Sequence, residues 1–273
     1  ASIEKLDAAE IKMIGPNYGS HACGDIGYGR MTHPEEIIEK IKDNSKTSQL
    51  SGCKILITAG PTREPIDPVR FMSNYSSGKM GYEMAIAAKS KGASVELISG
   101  PVTLKPIPDI KTTYVETSSE MYDVVKSKVD HYDIFISTAA IADYKPANYS
   151  DIKYKKDENN IFIEFTRGID ILQTISKKYE NLFTVGFAAE TNSLSENTKD
   201  KLQKKNLDVI VGNIANHELK LGFESDYNEV IILSNTGSEN ISLDKKSNIA
   251  ARILDFIAKE YSSKLELIKK DVK

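Results

Sequence analysis

Cysteine is scarce in this chain, with only Cys23 and Cys53 among 273 residues. Two thiols make neither a disulfide framework nor a metal-ligand set, and no cluster of His and Cys has zinc spacing. Such usage suits a reducing cytoplasm. Long apolar runs are missing as well. None approaches the ~18 residues of a membrane-spanning helix, and the N-terminus lacks a signal-peptide profile, so no membrane partner is expected. Positive charge is not in excess: 36 Lys and Arg against 39 Asp and Glu give a net charge of −3. That balance argues against nucleic acid as a partner, and it makes any local basic cluster specific to a site. The apolar (40%) and charged (27%) fractions are those of a globular protein with one large core, or one core and an appendage.

Two nucleotide fingerprints are absent. A Walker A loop needs Gly at position 73 and a hydroxyl at position 80, where the chain has Ser73 and Met80. A GxGxxG turn needs three close glycines, and Gly60 stands far from Gly78 and Gly81.

What is present is a strand (54–58) that breaks at Gly60-Pro61 and reaches a helix only near Gly78. Connections of two to six residues are usual in α/β units, and a much longer one is usually functional. This loop carries Arg63, Arg70, Asn74, Ser76, Ser77 and Lys79, which with helix N-terminal donors suit a phosphate or acyl phosphate. The bland alternative is a plain helix start capped by Ser76 or Ser77.

From residue 54 onward strands and helices alternate. Strands are expected at 54–58, 94–98, 134–137, 184–187 and 209–211, and helices at 79–91, 119–129, 169–178 and 194–204. Short apolar runs without alternation indicate a parallel sheet covered on both faces. The fold class is therefore α/β, a doubly wound Rossmann-like, mostly parallel sheet. A hairpin or lid excursion is expected, with one arm over 161–165 and a start near Ile152. A second hairpin, 229–233 with 239–243, and an amphipathic helix over 245–260 close the chain. Residues 1–51 include a glycine-rich segment (15–31), an expected helix (34–42) and a polar linker (43–51), and are too small and loop-rich for a core, so they read as an N-terminal arm or the tail of a domain that has been cut away; 52–273 form the main domain.

Ligands in such sheets bind beyond the carboxyl ends of the strands. The loop after the third strand, STAAIADYKPANYSDIKYKK, offers Ala139-Ala140 for close approach, Asp143 as a carboxylate, and Lys153, Lys155 and Lys156. Those lysines are either a solvated loop or a lid that delivers ammonium groups to phosphates. Phe187 in GFAAET is either core or a platform for a base. Lys201 and Lys205, four apart, either cap a helix or face a ligand.

Taken together, ITAGPTREPIDPVRFMSN, SSGKMG, AAIADYKP, GFAAET, KKNLD and GFESD resemble, in order, the phosphopantothenoylcysteine synthetase family of bacterial coenzyme A biosynthesis. The likeness covers about 54–261. GSHACGDIGYGRM is similar to the end of the flavin-dependent decarboxylase half that usually precedes it, with Cys23 at the place of an active-site Cys. The FMN-binding body of that half is missing from the sequence, so no decarboxylation is expected and Cys23 would be a vestige.

The resemblance implies ligation of 4′-phosphopantothenate to L-cysteine, with CTP activating the carboxylate as an acyl-cytidylate. It implies that Lys153 serves formation of that intermediate and Asn74 its conversion. It also implies that Ala139, Ala140 and Asp143 lie near nucleotide and pantothenate, and that Ser137, Thr138, Ile169, Asp170, Ile171, Leu172, Phe187, Lys201 and Lys205 contact CTP. Gly168 and Ile169 depart from the family's usual Asn-Pro. Mg²⁺, with Asp143 as a candidate ligand, and a homodimer follow from the same likeness. A Rossmann oxidoreductase lacks its glycine loop here, and a decayed binding protein would not need both Asn74 and Lys153.

Overall fold

The computed structural model describes residues 13–20, 25–38, 49–155, 160, 162–190, 194–214 and 225–271. The chain divides into two compact units, Ala1–Ser48 and Gln49–Lys273.

In the first unit, β1 (Asn17–Ser20) pairs antiparallel with β2 (Ile26–Arg30), and Tyr18 meets Tyr28 edge-on at 5.2 Å. Residues 34–38 are helical. Cys23 and residues 39–42 of the expected helix lie outside the described residues.

The second unit is built on an eight-stranded sheet. Its strands are β3 (Lys54–Ala59), β6 (Ser94–Ser99), β7 (Lys111–Tyr114), β8 (Ile134–Ser137), β11 (Phe183–Glu190), β12 (Val209–Ile214), β13 (Tyr227–Ser234) and β14 (Ser238–Lys245), in the order β14-β13-β12-β11-β8-β3-β6-β7. The first six are mutually parallel, and β13 and β14 add an antiparallel hairpin at one edge. Among the parallel strands the chain starts in the middle, winds out one way through β6 and β7, then returns and winds out the other way from β8. The strand order therefore reverses between β3 and β8, and at such a point the loops diverge and leave a crevice.

Alternation along these strands supplies two cores. Ile55, Ile57, Ile134, Ile136, Val185, Val209 and Val211 face α1 (Lys79–Ser90) and α5 (Lys246–Asp271). Leu56, Ile98, Phe135 and Ile210 face α2 (Ser118–Lys128), α3 (Ile171–Lys178) and α4 (Leu194–Lys204). Because both faces are covered, β3 and β8 read as unbroken apolar runs. The start of α2 carries a reciprocal cap: Thr117 accepts from the Glu120 N–H, and the Glu120 carboxylate accepts from the Thr117 N–H.

Two small ribbons complete the unit, and both correct the expectations. The long loop after β3 is not open chain. It folds into β4 (Arg63–Pro65) against β5 (Phe71–Ser73). The excursion after β8 pairs β9 (Tyr144–Pro146) with β10 (Phe165–Arg167), so its first strand lies ahead of Ile152. The reason is a competing partner. Asp67 accepts the Tyr154 N–H at 3.2 Å, and the Arg70 guanidinium donates to the Tyr154 carbonyl at 3.3 Å. The backbone near Ile152 is thereby held by the β4–β5 turn rather than by a strand. Ile161 of the expected arm lies outside the described residues.

Candidate active site

The site grows from the ends of β3 and β8, which stay joined past the sheet. The Thr138 N–H and hydroxyl both donate to the Thr58 carbonyl, the Ala140 N–H donates to the Gly60 carbonyl at 2.9 Å, and Pro61 forms a parallel bridge with Ala140. Farther on, the Ala142 N–H donates to the Thr62 hydroxyl at 3.1 Å. Two loops that would otherwise diverge are zipped together, and the small Ala139 and Ala140 form their floor.

Asn74 follows β5. Its side-chain amide donates to the Ile141 carbonyl at 2.9 Å and to the Ala140 carbonyl at 3.5 Å. The amide is thereby oriented across the crevice, with its carbonyl end left for another donor. Ser73 supports the turn by donating its hydroxyl to the Thr62 carbonyl at 2.7 Å.

Helix α1 begins at Gly78, which has φ 77° and no side-chain cap. Neither Ser76 nor Ser77 caps the helix in the usual way; the Ser76 hydroxyl accepts from the Gly78 N–H at 3.3 Å. The left-handed conformation favours glycine, and a Cβ there would also come within 2.7 Å of Val102. Gly81 is constrained by contact instead: a Cβ would lie 2.4 Å from the Thr138 hydroxyl and 2.5 Å from the Ala59 methyl. The helix N-terminus therefore seats directly on the strand ends, its first N–H groups and dipole turned to the crevice.

These elements line a cavity of ≈ 460 Å³. Of the residues expected from sequence, Asn74, Ser137, Thr138, Ala139, Ala140, Asp143, Ile169, Asp170, Ile171, Leu172, Phe187, Lys201 and Lys205 all contribute to its wall. Their contributions differ. Ile171 and Leu172 are buried in the core, so they offer backbone to the cavity, while Ile169 is exposed at the rim. Asp170 caps α3 by accepting the Gln173 N–H at 3.0 Å and pairs with the Lys205 ammonium at 2.8 Å. Phe187 is half-buried, packed on the core and also bordering the cavity, which reconciles the two readings of it.

Lys153 is the exception. It is exposed and takes no part in the cavity wall, as is Lys155; Lys156 lies outside the described residues. Its neighbour Tyr154 is fixed by Asp67, which also accepts the Val69 and Arg70 N–H groups at 2.8 Å and the Arg70 guanidinium at 3.2 Å. Burial raises the Asp67 carboxyl, but the backbone donors and the Arg70 charge outweigh it and hold the group below the usual carboxylate range. The two loop arginines thus have structural partners. Arg70 holds Asp67, and Arg63 lies 4.6 Å over the Phe71 ring. Neither lines the cavity.

Sequence reasoning did not single out Tyr75, Asn228 or Lys246, which also line the wall. Lys246 is only 3% exposed, and burial followed by the charge of Lys79 lowers its ammonium to about 8, against the opposing pull of Asp226. Asp226 is held low by its hydrogen bond and ion pair with Lys79, at 2.6 Å. Among the described residues no group of three His, Cys, Asp or Glu could hold a metal ion. A Mg²⁺ ion beside Asp143 would therefore need phosphate oxygens and waters for most of its coordination.

Residues 50–261 match the family of the DNA/pantothenate metabolism flavoprotein C-terminal domain. The chain is 41% identical over 256 residues to the coenzyme A biosynthesis bifunctional protein CoaBC of Vibrio vulnificus strain CMCP6, covering 93% of this chain and 64% of that protein. It thus spans just under two thirds of the length of that relative. The solved C-terminal domain of a CoaBC superposes with a TM-score of 0.67 at 37% identity, over 79% of this chain and 99% of the other. A Cab2 variant in complex with phosphopantothenate-cysteine shares the fold, with a TM-score of 0.68 at 18% identity over 87% of this chain and 97% of the other. By sequence match and by fold, the chain belongs to the DNA/pantothenate metabolism flavoprotein C-terminal domain family.

Proposed function

We propose that this chain is a phosphopantothenate–cysteine ligase that uses CTP. The observation that carries the reading is the crevice between β3 and β8, where the Asn74 amide, the Ala139-Ala140 floor and the uncapped start of α1 meet in one cavity. A carboxylate is a poor electrophile at neutral pH. Transfer of a cytidylyl group to it, with pyrophosphate leaving, creates an acyl-cytidylate. The amine of L-cysteine then attacks the acyl carbon, loses a proton, and expels CMP as the amide forms.

Each residue has a distinct task under this reading. The N–H groups at the start of α1, with Lys79, Lys201 and Lys205 on the cavity wall, hold phosphate oxygens. Backbone at 169–172 and the Phe187 ring border the nucleoside. Asn74, already turned by its bonds to the 140–141 carbonyls, steadies the acyl group during amine attack. Lys153 moves inward from its exposed excursion and offsets charge at the transferring phosphorus. Asp143 would be the protein carboxylate for a Mg²⁺ ion bound with the nucleotide, and the ion would supply further charge neutralisation.

A homodimer belongs to the same proposal, with the setting being the cytoplasm. The two ribbons expose Val69, Phe71, Tyr75, Tyr144, Phe162 and Phe165, a density of apolar surface that favours self-association. Pyrophosphate release is the direct test, with 4′-phosphopantothenate, Mg²⁺ and either CTP or ATP, each with and without cysteine. Release that prefers CTP, with amide formed only when cysteine is present, is the expected outcome. Silence with both nucleotides from folded protein overturns the ligase assignment.

A further inference from the structure

Thr62 is polar, fully buried and no part of the cavity wall, yet its polar groups are bonded to the segments that meet at Asn74. Its hydroxyl accepts the Ala142 N–H at 3.1 Å, and its carbonyl accepts the Ser73 hydroxyl at 2.7 Å. Its N–H donates to the Ala140 carbonyl at 3.4 Å. A polar side chain is costly to bury without partners, and here the partners identify its purpose.

Asn74 is exposed in the crevice, so hydrogen bonds rather than packing must hold its amide. The shorter of them, at 2.9 Å, goes to the Ile141 carbonyl. That carbonyl and the Ala142 N–H belong to one planar peptide unit, which turns as a whole. The Asn74 amide docks on one edge of this plane, and the Thr62 hydroxyl holds the other. Ala142 is 2% exposed, so its N–H finds no water in place of the hydroxyl. Loss of the acceptor would therefore favour rotation of the plane, and the Ile141 carbonyl would turn with it.

The backbone of Asn74 is referenced to the same residue. Ser73 directly precedes it and pairs with Arg63 in the β4–β5 register, while its hydroxyl reaches the Thr62 carbonyl. That carbonyl shares a peptide plane with the Arg63 N–H, which donates to the Glu116 carbonyl at 2.8 Å. The contacts close a ring through Thr62, Ala142, Ile141, Asn74 and Ser73. One buried residue thus sets both ends of the Asn74–Ile141 hydrogen bond.

We propose that Thr62 is the positioning residue for the Asn74 amide, through its hydroxyl on the 141–142 peptide and its carbonyl on Ser73. The consequence for turnover rests on the ligase reading, whereas the orientation of the amide does not. The Asn74 side-chain amide, assigned in a ¹H–¹⁵N spectrum of the full chain by its loss in Asn74→Asp, reports that orientation without substrate. Thr62→Val removes the acceptor at similar shape, and Thr62→Ser keeps it. Ser73→Ala breaks the second link from a less buried position, so it decides the matter where Thr62→Val does not fold. The Asn74 signal is expected to shift in Thr62→Val and Ser73→Ala and to stay in place in Thr62→Ser, with thermal unfolding as the control for folding. With 4′-phosphopantothenate, Mg²⁺, CTP and cysteine, amide formation should slow about tenfold or more in Thr62→Val. Pyrophosphate release and the KM for CTP should stay near wild type, and Thr62→Ser should restore amide formation.

An Asn74 signal unmoved in the folded variants overturns the proposal, as does a Thr62→Ser that behaves like Thr62→Val. Equal losses in pyrophosphate release and amide formation overturn it in favour of a general packing role. If the signal responds as expected but the wild type releases no pyrophosphate from CTP or ATP, the positioning stands and the ligase reading fails.

Discussion

Lys246 and Lys153 carry the same ammonium group on opposite kinds of support. Lys246 sits at the junction of a 26-residue helix with the sheet, buried beside a cavity whose shape is already set. Lys153 sits on an excursion between two three-residue strands, exposed and outside that cavity. The first cation is preorganised and incurs a desolvation cost in every molecule. The second is exposed and can reach the cavity only by movement of its segment. Under the proposed ligase reaction, which binds a polyanion and releases two anionic products, a site benefits from both kinds.

The sharpest way to break this comparison is to remove each mobile or reacting group in turn. Lys153→Ala should lower nucleotide-dependent pyrophosphate release by about 10²–10³-fold, the scale of losing one donor to a developing charge. Near-normal release would mean that the excursion has no part in the chemistry. Asn74→Asp should release pyrophosphate yet stall before the amide, leaving an acyl-cytidylate visible by mass spectrometry. Normal amide formation in that variant would remove the special role of the Asn74 amide.

Lys246 makes the contrast in stability rather than turnover. Its folded-state value of about 8 lies below the 10.5 of an ordinary lysine, so the unfolded chain binds more protons between those values. The buried charge therefore destabilises the fold fully below about pH 8, and the cost fades as pH rises toward 10.5. Lys246→Met should accordingly stabilise the protein by about 1–3 kcal/mol at neutral pH, and by less near pH 10. Equal Tm differences at both pH values would show that the ammonium is not desolvated.

Much of the frame was legible because burial on both faces leaves a plain mark. The runs 54–58 and 134–137 read as strands directly, and the hairpin around Asn235-Thr236-Gly237 was announced by its turn. Strand β7 was not, since Lys111–Tyr114 is an edge strand with no apolar run. Helix α5 runs eleven residues past the expected end at 260. The apolar stripe stops near Ala258, and beyond it the Lys264 ammonium bridges to Asp208 at 2.7 Å while Leu265 and Leu267 stay exposed. In the site, residues on strand ends and helix starts could be placed from their loops. Asn228 and Lys246 could not, because a polar residue at the end of a hairpin strand or helix looks like surface until the elements are packed. Conversely, Arg63 and Arg70 looked like anion ligands, yet one stacks on Phe71 and the other pairs with Asp67.

That pairing gives the mildest perturbation, one that acts on Lys153 without touching it. Asp67 is tied to Tyr154, so it sets where the excursion leaves the β4–β5 turn. Asp67→Asn keeps an acceptor for the Val69 and Arg70 N–H groups but loses the ion pair with Arg70. We expect kcat for pyrophosphate release to fall about threefold to tenfold, with the KM for CTP nearly constant, because the binding wall is elsewhere. The stability difference has a defined sign. A carboxyl held below its ordinary 3.8 supports the fold above that value and loses its contribution as pH falls through the depressed folded value. Wild type and Asp67→Asn should therefore differ in Tm near neutrality and converge on acidification below 3.8. Convergence with kcat already equal at neutral pH would separate the two roles, leaving Asp67 as an anchor of the ribbon and returning the placement of Lys153 to the excursion's own strands.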